Sequence, residues 1–416
     1  MTDKGYSFKK SYRLAAQTPM IHFQWNQQGA TLRASEVKPK LDKFLITKLE
    51  GFEKVLEEKE NWLLGYPLKY KSEYRAALNY KLYITADKVQ VEEPPKFGLY
   101  YGNMGVYDEE KKAKFIIGDC NLTVNCLSPD LLNFIDKNIR EFFVIYNFGR
   151  MNDKGFGSFV IDGHYSDKEI GEVLCGNYGG THLYWFDCKN GGDLMRKDVF
   201  DSIKTLYSVM KSGYNINGKY HRSFLFDYFH KMNIGNEKAH LKKEKMSPYN
   251  DGKPVEYPNS NRRYSDMESD EYMYVRALLG VGERIEYIIG FNWNNDKNRY
   301  LPEREKLQVS IKSDYIERFP SPVFFKIIGN KVYFVAKRTS EEILDKEFEF
   351  SIKNNRKIDY GKIEVDPNKK VVLKTPKSFD VDEFLDFFYN NYDETAPGYG
   401  IRSKINQIEI GGEINE

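Results

Sequence analysis

The chain has 416 residues, of which 41% are hydrophobic and 15% aromatic, and a formal net charge of +2. That length and apolar content give a globular protein with room for two or three domains with sizeable cores. The near-neutral charge argues against a free-standing protein that holds nucleic acid by charge alone, while leaving room for local basic patches or for a subunit that shares its RNA with partners.

No run of about 18 apolar residues exists, so no membrane span is expected. Residues 1–12 are charged and lack the apolar core of a signal peptide. The four cysteines, Cys120, Cys126, Cys175 and Cys188, form no CxxC pair, which argues against zinc and against a secretory disulfide framework. A cytoplasmic protein is expected.

In chain order, residues 12–23 read as a strand interrupted near Pro19. Ser35 is the expected N-cap of a helix in which Leu41, Phe44, Leu45 and Leu49 recur at helical spacing, with Pro39 tolerable in its first turn. Residues 74–84 and 113–127 read as strands, the second broken at Gly118. The clearest helix follows, with Ser128 as cap, Pro129 at its first position and an apolar stripe of Leu132, Ile135, Ile139, Phe142, Phe143 and Tyr146; Gly149 is expected to end it. A strand over 156–161 completes a β-α-β-β-α-β series, the signature of a ferredoxin-like α+β fold.

Beyond it, 182–186 reads as a strand, and helices are expected around Phe200, Ile203, Tyr207 and Met210 and over 220–232. Residues 233–270 are polar and lysine-rich, with Pro248, Pro254 and Pro258, and read as a long mobile insertion. Strands follow over 284–291, 323–328 and 331–336, the last two joined by Gly329-Asn330, a two-residue hairpin signal. Asp380 caps a last helix carrying Phe384, Leu385 and Phe388, with Glu383 placed as in a capping box, and 406–410 reads as a closing strand. The second half thus reads as a decorated copy of the first, dividing the chain at 1–170 and 171–416.

The stretch 149–159, GRMNDKGFGSF, carries the most functional information. Glycines let a backbone turn sharply and lie close to another chain. Arg150 and Lys154 add positive charge, and Phe156 and Phe159 offer flat apolar faces. This mixture suits a loop laid along an RNA backbone better than a small-molecule pocket.

Three segments resemble the RAMP superfamily of CRISPR proteins, in particular the two-domain subunit at the head of the type III-B (Cmr) effector. They are Thr18-Pro19-Met20 followed by GATLRASEVKPK at 29–40, KGFGSF at 154–159, and RFPSPVFFKI at 318–327. The sequence departs from the family pattern in its first helix, where an apolar, tryptophan-rich stretch is replaced by KPKLDKFLITK, and in the 233–270 insertion.

The resemblance implies tandem ferredoxin-like (RRM-like) RAMP domains, the second decorated with insertions. It also implies that Lys154, Gly155, Phe156, Gly157 and Ser158 lie against guide or target RNA, with backbone N–H groups and the Ser158 hydroxyl on phosphates. Arg33, Lys38 and Lys40 stand at the start of the first helix, where N–H groups attract anions. Arg262 and Arg263, beyond the basic run of Lys238, Lys242, Lys243 and Lys245, are further candidates for RNA contact, as is Arg150. The implied partners are the guide RNA (crRNA), a target RNA and other RAMP subunits, without a cofactor or a membrane.

Catalysis is not expected. The backbone subunits of such effectors cleave RNA with an aspartate after the first strand, and residues 24–35 here contain no Asp or Glu. The alternatives are a metal-independent endoribonuclease that processes guide RNA, with His22 as acid or base, and an adaptor that docks proteins through its tyrosine-rich surface. His221, His230 and His240 lack metal-ligand spacing.

Overall fold

The structure of the protein, a computed structural model, describes residues 8–22, 31–67, 75–86, 88–92, 114–188, 195–216, 219–250, 253–254, 269–289, 291–294, 299–302, 306–353, 365–392 and 404–410. The chain forms two compact units. The first comprises Met1–Asp201, Phe324–Val335 and Asn406–Glu416, the second Ser202–Val323 and Ala336–Ile405.

The first unit starts with β1 (Lys9–Ala16) and β2 (Met20–His22), then α1 (Ala34–Lys48) and α2 (Phe52–Glu58). Next come β3 (Lys81–Ala86), β4 (Gln90–Glu92), β5 (Lys114–Ile117), β6 (Cys120–Asn125), α3 (Pro129–Ile145) and β7 (Phe159–Ile161). The sheet order β3-β6-β1-β7, all antiparallel, is that of a ferredoxin-like fold. Leu14, Leu82, Leu122 and Val124 on one sheet face join Leu41, Leu45, Ile135, Ile139 and Phe142 of α1 and α3 in one core. In α3 Ser128 accepts a hydrogen bond from the Leu131 N–H, Pro129 opens the helix, and the expected stripe is buried up to Phe143.

After α4 (Asp167–Tyr178) a second sheet is built from β8 (His182–Asp187), β9 (Val323–Ile328), β10 (Lys331–Ala336) and β11 (Asn406–Glu409). Its order, β9-β10-β8-β11, repeats that of the first sheet. The decoration lies in the two long connections. β8 and β9 are joined by a segment that includes α5 (Lys197–Lys211), α6 (Phe224–Lys231) and α7 (Glu237–Lys243), and β10 and β11 by one that includes α8 (Val381–Asn391).

The second unit also holds an antiparallel sheet of Arg284–Ile288, Lys306–Lys312, Glu347–Ile352 and Lys370–Lys374, in that spatial order. Aromatic contacts join α6 to α8, with the Phe224 and Phe388 rings 4.9 Å apart. Asp380 caps α8 through hydrogen bonds from the Asp382 and Glu383 N–H groups.

Several local expectations are corrected. The first helix is capped by Arg33, in extended backbone, and not by Ser35. Burial of Leu32 and Val37 sets the start, outweighing a capping preference worth about 1 kcal/mol. α3 ends at Ile145, four residues before Gly149, because Asn147 turns away to bridge Ser158. The strand expected over 74–84 begins at Lys81, since Leu78 is held by a bridge to Leu63. The 156–161 strand begins only at Phe159. The insertion is structured where described: Ile234–Asn236 pairs in parallel with Glu271–Met273, and Asn236 caps α7. Residues 1–7, 23–30 and much of 251–268 lie outside the described residues.

Candidate nucleic-acid interface

The glycine loop is a clasp closed by hydrogen bonds from three directions. From the end of β1, the Gln17 N–H donates to the Ser158 carbonyl at 2.8 Å. The Thr18 hydroxyl donates to the Gly155 carbonyl at 2.7 Å and accepts from the Ser158 N–H at 3.0 Å. The Pro19 carbonyl accepts from the Gly157 N–H at 2.9 Å. From α1, Glu36 accepts from the Gly149 N–H at 2.7 Å. From β9, the Phe325 N–H donates to the Asp153 carbonyl at 2.9 Å, and the Ser158 hydroxyl donates to the Ile327 carbonyl at 2.7 Å. Residues 17–19, Glu36, residues 153–158, Phe325 and Ile327 therefore meet at one place, although they are scattered over three hundred residues of sequence.

Gly149, Gly155 and Gly157 all have positive φ, at 77°, 86° and 64°, which lets the loop fold back on Phe148 and Thr18. The fold buries what the sequence reading put at the surface. Gly155, Phe156, Gly157, Ser158 and Phe159 are buried. Phe156 stacks on Phe200 at a centroid distance of 3.7 Å and meets Phe115 at 5.4 Å. A benzyl ring gains more from that apolar surrounding than from water. The Ser158 hydroxyl spends its proton on Ile327. Arg150 is exposed, whereas the Lys154 ammonium is buried 5.7 Å from the Phe325 ring.

The helix cations divide in the same way. Lys38 donates to Asp42 at 2.7 Å and to the Leu78 carbonyl at 3.0 Å, and lies over the Tyr80 ring. Burial raises the Asp42 carboxyl above its ordinary range, and Lys38 works against that rise. Lys40 reaches the Asn147 carbonyl at 3.3 Å, sits 3.6 Å from Glu36 and covers the Phe148 ring. Lys40 thus braces α1 against the clasp, and Lys38 ties the same helix to the Leu78–Tyr80 segment. Arg33 is half-buried at the start of α1. Arg262 and Arg263 lie outside the described residues, as do the side chains of His22 and His221.

Sequence reasoning missed the lysine at the centre of this arrangement. Lys326 of β9 is fully buried and donates to the carbonyls of Phe143 at 2.7 Å, Tyr146 at 3.1 Å and Phe159 at 3.2 Å and to Asn147 Oδ1 at 3.1 Å. Asn147 in turn donates to the carbonyls of Asn152 and Phe325, both at 2.8 Å. Burial pushes the Lys326 amine well below its ordinary value. The acceptors at the C-terminus of α3, where helix carbonyls point outward, favour its charged form. The signal was present in the sequence as one lysine inside the apolar run VFFKII.

Two family models match the chain: the Cmr1 N-terminal domain over residues 7–214 and the Cmr1 C-terminal domain over residues 220–404. The chain belongs to the Cmr1 family. It is a two-domain Cmr1-like RAMP subunit of the type III-B Cmr class of CRISPR proteins, a family of non-catalytic RAMP subunits. A crystal structure of Cmr1 from Pyrococcus furiosus in the apo form is similar over 96% of this chain and 98% of that one, at 9% identity and a TM-score of 0.40. No curated protein matches the chain. Among the described residues of this Cmr1-family protein, no helix is long and apolar enough to cross a membrane, and no group of three or more His, Cys, Asp or Glu is placed to hold a metal ion.

Proposed function

We propose that this Cmr1-family chain is the non-catalytic RNA-binding subunit of a type III-B effector, holding the 3′ part of the guide RNA and helping to capture the matching target RNA. Other RAMP subunits are its neighbours. Residues 1–170 and 171–416 are its two RAMP modules. The observation that carries the reading is the convergence of the family-like segments on a rigid clasp with an exposed Arg150 at its rim. A loop fixed beforehand by Thr18, Asn147 and Lys326 loses little freedom when it engages a strand.

Arg150, with Arg33, supplies phosphate contacts that position RNA without reading it, the buried Lys154 ammonium supports the loop from within, and base pairing with the guide supplies sequence. Residues 155–158 act from below by shaping the loop, and Lys38 and Lys40 by bracing α1. Arg262 and Arg263 add contacts of their own. A net charge of +2 suits a subunit that neutralises only a short length of RNA.

The test is titration of a labelled guide-like RNA at several salt concentrations. Changing Arg150 and Lys154 to Ala together weakens association and flattens its salt dependence, by about 0.7 in the log–log slope for each single-strand phosphate that is no longer neutralised. An unchanged slope removes the loop from the interface. Cleavage of a repeat RNA by the wild-type protein, abolished in His22→Ala, would replace this reading with that of a processing endoribonuclease.

A further inference from the structure

Arg150 follows a glycine at the rim of the clasp. Gly149 has a φ of 77°, and a glycine has more backbone conformations open to it than any other residue. The backbone angles of Gly149 set where the Arg150 side chain points, so that cation keeps one direction only if the glycine is held. No larger residue can supply the stiffness. A β-carbon on Gly149 would stand 2.5 Å from Met20 Cγ and 3.0 Å from the Ile21 carbonyl oxygen.

The hold comes from α1. Glu36 Oε1 accepts from the Gly149 N–H at 2.7 Å, the length of a charge-assisted bond. The Arg150 N–H reaches the Ile21 carbonyl only at 3.4 Å, so the carboxylate is the tighter of the two ties on this pair of residues. Glu36 is itself aimed by Lys40, four residues on along the helix, whose ammonium lies 3.6 Å away. Lys40 also donates to the Asn147 carbonyl at 3.3 Å. Carboxylate and ammonium together grip the backbone from Asn147 to Gly149.

We infer that Glu36 is a positioning residue for RNA: it pins Gly149 so that Arg150 meets the phosphate backbone in a fixed orientation.

The sign of its charge sets this role apart from a direct electrostatic one. A carboxylate beside a phosphate site repels the strand, so by charge alone its removal would tighten binding. Through the pin its removal weakens binding, because Arg150 must then give up freedom when it engages the strand. Three substitutions separate the two effects. Glu36→Gln removes the charge and keeps an acceptor at the same reach. Glu36→Asp keeps the charge and draws the acceptor back by one methylene. Glu36→Ala removes both. The inference rests on the RNA-binding reading above and adds a residue that acts on RNA only through Arg150.

The experiment is fluorescence anisotropy of a labelled polyuridine RNA with the full chain over a series of salt concentrations. Arg150→Ala is the reference and should lower the slope of log affinity against log salt by about 0.7, for one phosphate on a single strand. Glu36→Asp and Glu36→Ala should each weaken binding on the order of 10-fold, the worth of one hydrogen bond to a charged group, with a similar loss of slope. Glu36→Gln should bind at least as tightly as the wild type. In the Arg150→Ala background Glu36→Asp should weaken binding no further, a coupling that a merely structural role would not produce.

If the wild-type protein binds no RNA, or if Arg150→Ala binds as wild type, the contact proposed for the loop falls and this inference falls with it. If Arg150→Ala weakens binding while Glu36→Asp binds as wild type, the pin alone is overturned. The same holds if Glu36→Gln is as weak as Glu36→Asp, or if Glu36→Asp weakens binding as much without Arg150 as with it. Glu36→Asp and Glu36→Gln decide the matter even where Glu36→Ala does not fold.

Discussion

A β-carbon on Gly157 would stand 1.9 Å from the carbonyl oxygen of Phe148. The contact is backbone on backbone, and the Phe148 N–H is already tied to the Gly157 carbonyl at 3.0 Å, so neither side can give way cheaply. Gly157 also has a φ of 64°, which costs an L-residue about 1–2 kcal/mol. Gly157→Ala should therefore destabilise the protein by about 2–4 kcal/mol, strain and overpacking together. Gly329→Ala is the comparison, because Gly329 has a φ of 58° and open space around it. It should cost only about 1 kcal/mol. Urea-denaturation midpoints of the two variants measure the difference.

Lys326 gives a second prediction. An ammonium has three N–H donors, and the four oxygens around it use all of them. Lys326→Met is an unbranched side chain shorter by the terminal nitrogen and supplies no donor, and an orphaned buried acceptor costs about 1–3 kcal/mol. Destabilisation on the order of 3 kcal/mol is expected. A pH effect accompanies it. The folded-state value lies below the ordinary 10.5, so between the two values the unfolded chain binds more protons. Stability then rises with pH across that window. Denaturation midpoints from pH 7 to 10 should show this rise in the wild type and a flatter profile in Lys326→Met.

What the sequence disclosed follows from how local each signal is. Ser128-Pro129 before an apolar stripe, Gly329-Asn330 between two apolar runs and Asp380 before Phe384 each state their structure within a few residues, and all three are found. The repeated sheet order could be anticipated from the order of elements. The glycine loop is different. A cationic loop with two phenylalanines reads the same whether it lies on RNA or on its own protein, and the partners that decide, Thr18, Asn147 and β9, are far away in sequence. The Glu36 pin was hidden for a similar reason: Glu36 and Gly149 stand 113 positions apart, and only the packing of α1 beside the clasp brings them together.

Asp167, the first residue of α4, ties that helix to β10. It accepts from Lys331 at 2.6 and 2.8 Å and from the Tyr333 hydroxyl at 2.7 Å. Partial burial works to raise its carboxyl, but the hydrogen bonds and the Lys331 charge outweigh it and hold the folded-state value below the ordinary 3.8. The folded chain therefore binds fewer protons than the unfolded chain just below pH 4. The stabilisation is complete above that range and is lost as pH falls through the folded value. Thermal midpoints at pH 5 and pH 3 should fall less in Asp167→Asn than in the wild type. Tyr333→Phe removes one of the donors and should shift the acid loss to higher pH.

In the second unit, the fully buried Glu237 carboxylate receives a hydrogen bond from the Arg276 guanidinium. Lys211 stands in the same field and donates to the Gly280 carbonyl at 2.6 Å. Burial, followed by the charge of Arg276, pushes the Lys211 amine down to about 7, and Glu237 opposes the fall. Glu237→Gln keeps the shape and removes the one anion of the set. Arg276 then remains as a buried cation without a counter-charge, at a cost of about 3–5 kcal/mol. The Lys211 amine loses its only upward influence and should titrate lower still. Two measurements check this: the urea midpoint of Glu237→Gln, expected to drop, and that of Glu237→Gln combined with Arg276→Met, expected to recover much of the loss because the unpaired charge goes with the arginine.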